Sequence, residues 1–185
     1  MNEGSGSGAG PESEVVLERR VGAEGHVIEL VSRGGTFDVR EDGETVLRSG
    51  LARDGGELAR LSLAPLGQRD DVTVLLAGLG FGRTLRAVLS IRGIARVDVI
   101  ERSAALIEFC RGPLAELSGD ALADPRVHVH AGDLMSVLKG FRYDPPPDSP
   151  AAEGGWLALI LDVDSGPALP SRPSNAVLSP ARRIV

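Results

Sequence analysis

The sequence predicts an α/β fold in which a doubly wound parallel sheet follows a small antiparallel β domain. From residue 71 onward, apolar runs of strand length alternate four times with stretches of helical length, and the connections are short. The first run, VTVLLAG, is apolar throughout, as expected of a strand buried on both faces of a parallel sheet. Before residue 50, shorter runs separated by turn segments indicate antiparallel hairpins.

The N-terminal third of the chain divides into a tail and a small β domain. Residues 1–14, MNEGSGSGAGPESE, are rich in glycine and serine and lack the apolar stretch of a signal peptide, so we expect a disordered tail. Residues 15–66 contain the predicted strands HVIELVS, TFDVRE and ETVLRS, joined by the turn segments RGG and DG. A loose helix, GELARLSLAPL, is stopped by Pro65 and connects to the next domain.

Residues 70–185 form the predicted doubly wound domain. Its strands are VTVLLAG, RVDVIE, RVHVHAGD and WLALILDVD. Its helices are a segment from Arg83 to about Ile91, SAALIEFCRGPLAEL with an interruption at Pro113, and LMSVLKGF. Ligands of such sheets bind at the carboxyl ends of the strands, so the residues that end each strand are the candidates for function.

Composition and charge exclude several classes of partner. The net charge of -6, the pI near 5.1 and the absence of a basic cluster interleaved with aromatic residues argue against a nucleic-acid partner. The single cysteine, Cys110, excludes an internal disulfide and a multi-cysteine zinc site. No apolar run approaches the roughly 18 residues that cross a bilayer. We therefore expect a cytoplasmic protein that binds no membrane.

The first strand of the doubly wound domain ends in the glycine turn, which we define as Gly78, Gly80 and Gly82. Glycines at a strand end allow backbone N–H groups to approach a ligand that a Cβ atom would hold away. The same pattern also suits a tight turn that binds nothing.

The second strand ends in Glu101, 19 residues beyond Gly82. A carboxylate at this spacing can accept hydrogen bonds from both hydroxyls of a ribose. The dinucleotide fingerprint G-x-G-x-x-G fails here, because its last position falls on Arg83. The spacing instead favours S-adenosylmethionine or its decarboxylated form.

The third strand ends in HAGDL, where Asp133 can bind the exocyclic amine of an adenine, cap the following helix, or do both. His128 and His130 lie on one face of this strand. Because no third ligand is evident, we predict no metal site.

The fourth strand ends in LDVDSGP, in which Asp162 and Asp164 lie two residues apart and point to the same side. Two carboxylates at the mouth of a sheet suit the binding of a cationic amine or its deprotonation by a general base. A polar turn that ends the strand is the other interpretation.

From about Thr36 to Asn175 the chain resembles the spermidine synthase family, the polyamine aminopropyltransferases. The resemblance is carried by FDVREDGETVLRS, GLGFGRTLRAVL, VDVIERSAALIEFCRGPLAEL, ADPRVHVHAGD and LILDVDSGP. It implies a Rossmann-like, methyltransferase-type fold behind a small β domain, with decarboxylated S-adenosylmethionine as the aminopropyl donor and a polyamine as the acceptor. Family members often form dimers or tetramers, which makes a homodimer one possible assembly.

The resemblance also implies roles for single residues. The glycine turn would hold the methionine-derived part of the donor, Glu101 its ribose and Asp133 its adenine. Asp162 matches the first acid of the family's D-[ST]-x-D motif and would bind the acceptor.

Three motifs of the family pattern are not fully matched by this chain. The aspartate of the family's G-G-G-D-G-G, which contacts the donor's amine, is replaced by Phe81. The family's Y-H-E falls on RLS at residues 60–62. The second motif acid, the general base, falls on Ser165, and Asp164 is the carboxylate that can replace it from one residue earlier.

Only 23 residues follow Asp162. A methyltransferase-type sheet usually continues with a helix, a fifth strand and an antiparallel pair, which the closing NAVLSPARRIV is too short to supply. We therefore expect the C-terminal strands to be missing, as in a truncated chain.

Three functions remain open at this point. The first is aminopropyl transfer to a small amine, with Asp162 and Asp164 as acceptor-binding group and base. The second is methyl transfer from S-adenosylmethionine, which the replacement at Phe81 motivates. The third is a non-catalytic nucleoside-binding domain.

Overall fold

The computed structural model describes residues 13–22, 25–51, 55–138, 156–163 and 177–178. It confirms the predicted fold class, because a separate antiparallel sheet precedes a sheet with four parallel strands.

The antiparallel sheet has four strands in the order in which they occur along the chain. These are β1 (Glu14–Val21), β2 (Val27–Arg33), β3 (Thr36–Glu41) and β4 (Glu44–Arg48). Strands β2 to β4 correspond to the predicted runs, whereas β1 is an additional edge strand that the sequence did not separate from its surroundings. At the β3–β4 turn, Asp42 and Gly43 both adopt positive φ, as a two-residue hairpin requires.

The second sheet has the strand order β7-β6-β5-β8-β9, and its first four strands along the chain are parallel. Its elements, together with the connecting helix that precedes them, are α1 (Gly55–Leu63), β5 (Val72–Ala77), α2 (Arg83–Leu89), β6 (Ile94–Glu101), α3 (Ala104–Arg111), α4 (Ala115–Ser118), β7 (Val127–Ala131), α5 (Leu134–Leu138), β8 (Ala158–Leu161) and β9 (Val177–Leu178). The predicted interruption at Pro113 is confirmed, since α3 ends before it and α4 begins after it.

The strand order reverses at β5, which pairs with β6 on one side and with β8 on the other. A crevice forms at such a switch point, outside the carboxyl ends of the strands. The glycine turn, Glu101 and Asp162 all follow or end these three strands and are therefore brought to one edge of the sheet.

One apolar core joins the two sheets. It contains Leu30 and Val39 from the antiparallel sheet together with Val74, Leu76 and Ile160 from the parallel sheet. The small sheet therefore packs against the same core as the parallel sheet.

A short strand, β9, borders β8. Val177 and Leu178 pair antiparallel with Ile160 and Leu159 of β8. The pairing is only two residues long, which is too short to produce an apolar repeat in the sequence. None of the described helices is long and apolar enough to span a membrane.

Candidate functional site

A cleft of about 1490 Å³ lies at the carboxyl edge of the parallel sheet. The strand ends and helices of that sheet form one wall, and Ile28, Val39 and Leu47 of the antiparallel sheet contribute to the other. Small-molecule sites usually occupy roughly 300–1,000 Å³, so the cleft has room for two ligands side by side.

The cleft brings together most of the predicted site residues. Its lining includes Gly78, Gly80, Glu101, Asp133 and Asp162. The third glycine of the turn, Gly82, is not part of the lining, and Asp164 lies outside the described residues.

The three glycines of the turn differ in the space that a Cβ atom would find at each position. At Gly78, where φ is +89°, a Cβ atom would lie 2.1 Å from the carbonyl oxygen of Asp162. At Gly82 it would lie 2.5 Å from Cβ of Ser118. Both positions are therefore restricted by the protein's own packing, whereas Gly80 has positive φ and no described atom within 4 Å of the place a Cβ atom would take. The turn is open to a ligand at Gly80.

The Glu101 carboxylate is held in place by two backbone groups. The Leu79 N–H donates to Oε2 at 3.0 Å, and the Ser103 N–H donates to Oε1 at 2.7 Å. A carboxylate offers about four acceptor positions, so each oxygen retains one for a ligand. The geometry suits a pair of hydroxyl donors.

Asp133 caps the short helix α5. Its Oδ1 accepts hydrogen bonds from the Ser136 N–H at 2.9 Å and from the Ser136 hydroxyl at 3.1 Å. The same side chain is exposed and belongs to the lining of the cleft. Capping therefore does not remove Asp133 from the cleft.

Asp162 is tied to the helix that follows the glycine turn. The Thr84 hydroxyl donates to Oδ2 of Asp162 at 2.5 Å, and the Asp162 N–H donates to the carbonyl of Ala77 at 2.8 Å. Thr84 is buried and lines the cleft. Sequence reasoning missed Thr84, although a hydroxyl residue two positions after the last glycine is a usable signal.

Two further side chains of the cleft were not identified as binding residues from the sequence. Arg83 is partly buried, and His26 on the opposite wall contacts Asp42, with 2.5 Å between Nδ1 and Oδ2. Phe81, at the position where the resemblance places a carboxylate, is 5% exposed and packs in the shared core while it lines the cleft.

Cys110 lies beneath the glycine turn. Its thiol donates to the carbonyl of Gly80 with 3.4 Å between sulfur and oxygen. Burial, with a contribution from the charge of Glu101, raises the pKa of the thiol to about 12. A thiol in this environment remains protonated at neutral pH and supports the turn rather than acting as a nucleophile.

His130 of β7 belongs to an ion-pair network on the face of the sheet that also carries Leu75 and Ile100. His130 Nε2 lies 2.8 Å from Oδ1 of the buried Asp98, which also accepts hydrogen bonds from Arg96 and from the Trp156 indole. Within the described ranges, no three histidine, cysteine or acidic side chains are grouped as metal ligands.

Comparison with curated proteins finds sequence similarity to polyamine aminopropyltransferases. The protein of that name from Mycobacterium tuberculosis is 34% identical over 91 residues, and the one from Synechococcus sp. is 31% identical over 99 residues. The matched segments cover about half of this chain, but only 16% and 28% of those two proteins. No protein-family model matches the chain.

Solved structures show the same relationship at the level of the fold. Spermidine synthase from Thermotoga maritima superposes with a TM-score of 0.57 and 19% identity, over 84% of this chain and 48% of that one. A spermidine synthase in complex with the transition state analogue AdoDATO superposes with a TM-score of 0.56 and 20% identity, over 81% and 47%. The chain is therefore spermidine synthase-like in fold and similar in sequence to the polyamine aminopropyltransferases.

Proposed function

We propose that the cleft binds an S-adenosyl nucleoside and that the protein transfers an aminopropyl group from decarboxylated S-adenosylmethionine to a small polyamine acceptor. The observation that carries this proposal is the Glu101 carboxylate, fixed by two backbone N–H groups beside the glycine turn. The sequence similarity to polyamine aminopropyltransferases supports the type of group transferred.

In this proposal the donor's nucleoside lies across the ends of β5, β6 and β7. Glu101 accepts hydrogen bonds from the two ribose hydroxyls through the oxygen positions that the backbone leaves available. Asp133 accepts from the exocyclic amine of the adenine, and the open side of Gly80 receives the part derived from methionine.

The acceptor amine lies at the end of β8 in this proposal. Oδ1 of Asp162 accepts a hydrogen bond from the amine, while Thr84 holds Oδ2. After a base removes a proton from the ammonium group, the amine attacks the aminopropyl carbon bonded to sulfur. The carbon–sulfur bond breaks, and its electrons remain on sulfur as a neutral thioether. Asp164 is our candidate for the base.

Methyl transfer from S-adenosylmethionine is the second candidate. It is favoured by Phe81, whose buried aromatic ring stands where the resemblance places the carboxylate for the donor's amine. Without that carboxylate, the amine of the decarboxylated donor loses a charge-assisted hydrogen bond of about 1.5–3 kcal/mol.

Isothermal titration calorimetry with the variant Glu101→Gln tests the nucleoside site. We expect affinity for both donors and for 5′-methylthioadenosine to fall roughly 10-fold to 100-fold, because hydrogen bonds to a charged acceptor are lost. Glu116→Gln is the matched control, since this residue lies outside the lining of the cleft. If wild-type protein binds none of the three ligands, the proposal is wrong.

Product analysis distinguishes the two candidate reactions. Wild-type protein incubated with putrescine and decarboxylated S-adenosylmethionine is expected to form spermidine and 5′-methylthioadenosine, which mass spectrometry detects. A methylated amine formed from S-adenosylmethionine, without spermidine in the first reaction, would support the second candidate instead.

The site of action and the assembly are also proposals. We place the protein in the cytoplasm, with a small-molecule amine as its partner and a homodimer as a possible assembly. Analytical ultracentrifugation and fractionation of expressing cells test these two points.

A further inference from the structure

Arg83 is a partly buried cation at the glycine turn. It directly follows Gly82, begins α2 and lines the cleft. Within the part of the chain that the structure describes, its guanidinium makes no hydrogen bond or ion pair. A guanidinium stays protonated at any physiological pH and offers up to five N–H donors. Such a group, partly removed from water, favours an anionic partner.

The other arginines of the cleft are in different situations. Arg20 pairs with Glu18 at 2.9 Å, and Arg48 pairs with Asp38 at 2.9 Å. Arg102 is exposed to solvent, where water satisfies its donors. Arg83 is thus the partly buried arginine that the described lining leaves available to a ligand.

Arg83 has no acidic neighbour among residues 81–85, and the two acids beside the turn, Glu101 and Asp162, accept hydrogen bonds from other groups. Phe81, two residues earlier, is an apolar side chain in the same lining. Thr84, the next residue, uses its hydroxyl to hold Asp162. A ligand end that carries only an amine would meet a positive charge here, whereas a carboxylate would form a bidentate pair.

We infer that Arg83 binds a carboxylate on the ligand beside the glycine turn, so that one substrate of the cleft is an amino-acid derivative. This inference rests on the proposed nucleoside site. It favours S-adenosylmethionine as the donor, or an amino acid as the acceptor, over the pair of decarboxylated S-adenosylmethionine and putrescine. The carboxylate has two possible sources, the methionine part of S-adenosylmethionine or the acceptor. Decarboxylated S-adenosylmethionine and putrescine both lack it.

Two pairs of ligands that differ by one carboxylate test the inference. The donor pair is S-adenosylmethionine and its decarboxylated form. The acceptor pair is ornithine and putrescine, and only this pair is titrated with 5′-methylthioadenosine present. We expect wild-type protein to bind the carboxylated member of one pair about 10-fold or more tightly. Arg83→Gln should lose this preference. Arg86→Gln, an exposed arginine on the same helix outside the cleft lining, should keep it.

The outcomes separate this inference from the proposed function. A preference in the donor pair assigns the carboxylate to the donor, and one in the acceptor pair assigns it to the acceptor. If 5′-methylthioadenosine binds but neither pair shows a preference, or Arg83→Gln retains it, the inference is overturned and the nucleoside site stands. If neither 5′-methylthioadenosine nor either donor binds, both are overturned.

Discussion

At the scale of single residues, a Cβ atom added at Gly78 would meet the backbone carbonyl of Asp162. We predict that Gly78→Ala destabilises the protein by about 1–3 kcal/mol through this clash, in addition to the cost of a left-handed alanine. The reason is the 2.1 Å separation that a Cβ atom would have from the Asp162 oxygen. Urea denaturation of the variant measures the change in the free energy of unfolding.

Gly80→Ala is the matched control for this prediction. Gly80 also has positive φ, but no described atom lies within 4 Å of the position its Cβ atom would occupy. Only the backbone cost of roughly 1 kcal/mol should therefore be measured. Equal losses of stability in the two variants would contradict the explanation by close approach.

The candidate residues of the cleft could be located from the sequence, but the contacts around them could not. Strand ends and spacing placed Glu101, Asp133 and Asp162 at one edge of the sheet. The contact between Gly78 and Asp162 joins residues far apart in the chain, and no local pattern encodes it. The sequence offers the hydroxyl of Thr84, two residues after Gly82, but its partner Asp162 is recognised only once β8 is known to pair with β5.

At the scale of elements, α3 is the helix that buries Phe109 and Leu106 against the core, and Ser103 is its N-cap. The Ser103 side chain accepts a hydrogen bond from the Leu106 N–H at 3.2 Å. We predict that Ser103→Ala lowers the free energy of unfolding by about 0.5–2 kcal/mol. Because the backbone N–H of residue 103 is retained, the hydrogen bond to Glu101 and the nucleoside affinity should be preserved.

Chemical denaturation and calorimetry of Ser103→Ala measure these two quantities. Ser90→Ala is the control, since the exposed Ser90 hydroxyl only donates to the Ala87 carbonyl in the last turn of α2. A loss of nucleoside affinity without a loss of stability would argue that Ser103 contacts the ligand directly.

The strands that the pattern of apolar residues predicts are those that bury at least one face. The strands β5 and β6 bury most of their side chains, and their apolar runs mark them clearly. Strand β1 has seven exposed residues out of eight, so it pairs through its backbone and shows no alternation of buried and exposed residues. Its exposed Val15, Val16 and Leu17 therefore gave no separate strand signal.

At the scale of the whole molecule, Asp98 joins three parts of the parallel sheet. Asp98 lies on β6, His130 on β7 and Trp156 just before β8. The side chains of His130 and Trp156 both contact the buried Asp98 carboxylate. Burial alone would raise the pKa of Asp98, but hydrogen bonds from His130, Arg96 and Trp156 outweigh it and lower the pKa to about 2. The ionised carboxylate therefore stabilises the folded state.

This network gives a pH dependence with a defined sign. Because the folded pKa is about 2, below the ordinary value of 3.8, the stabilisation is present above about pH 4. It is lost as the pH falls toward 2, and the loss amounts to about 2 kcal/mol. We predict that Asp98→Asn is least stable relative to wild type at neutral pH, where it removes the carboxylate that pairs with the partly buried Arg96.

Urea denaturation between pH 2 and pH 7 measures this difference, with Trp156→Phe as a milder variant that removes one donor to the carboxylate. Glu14→Gln is the control, because hydrogen bonds from Arg40 and Arg33 also lower the pKa of that exposed carboxyl to about 2. Glu14 lies on the edge strand β1, so its variant should leave the Asp98 contribution unchanged. If the difference in the free energy of unfolding between Asp98→Asn and wild type stays constant down to pH 2, the ionised Asp98 carboxylate does not stabilise the folded state.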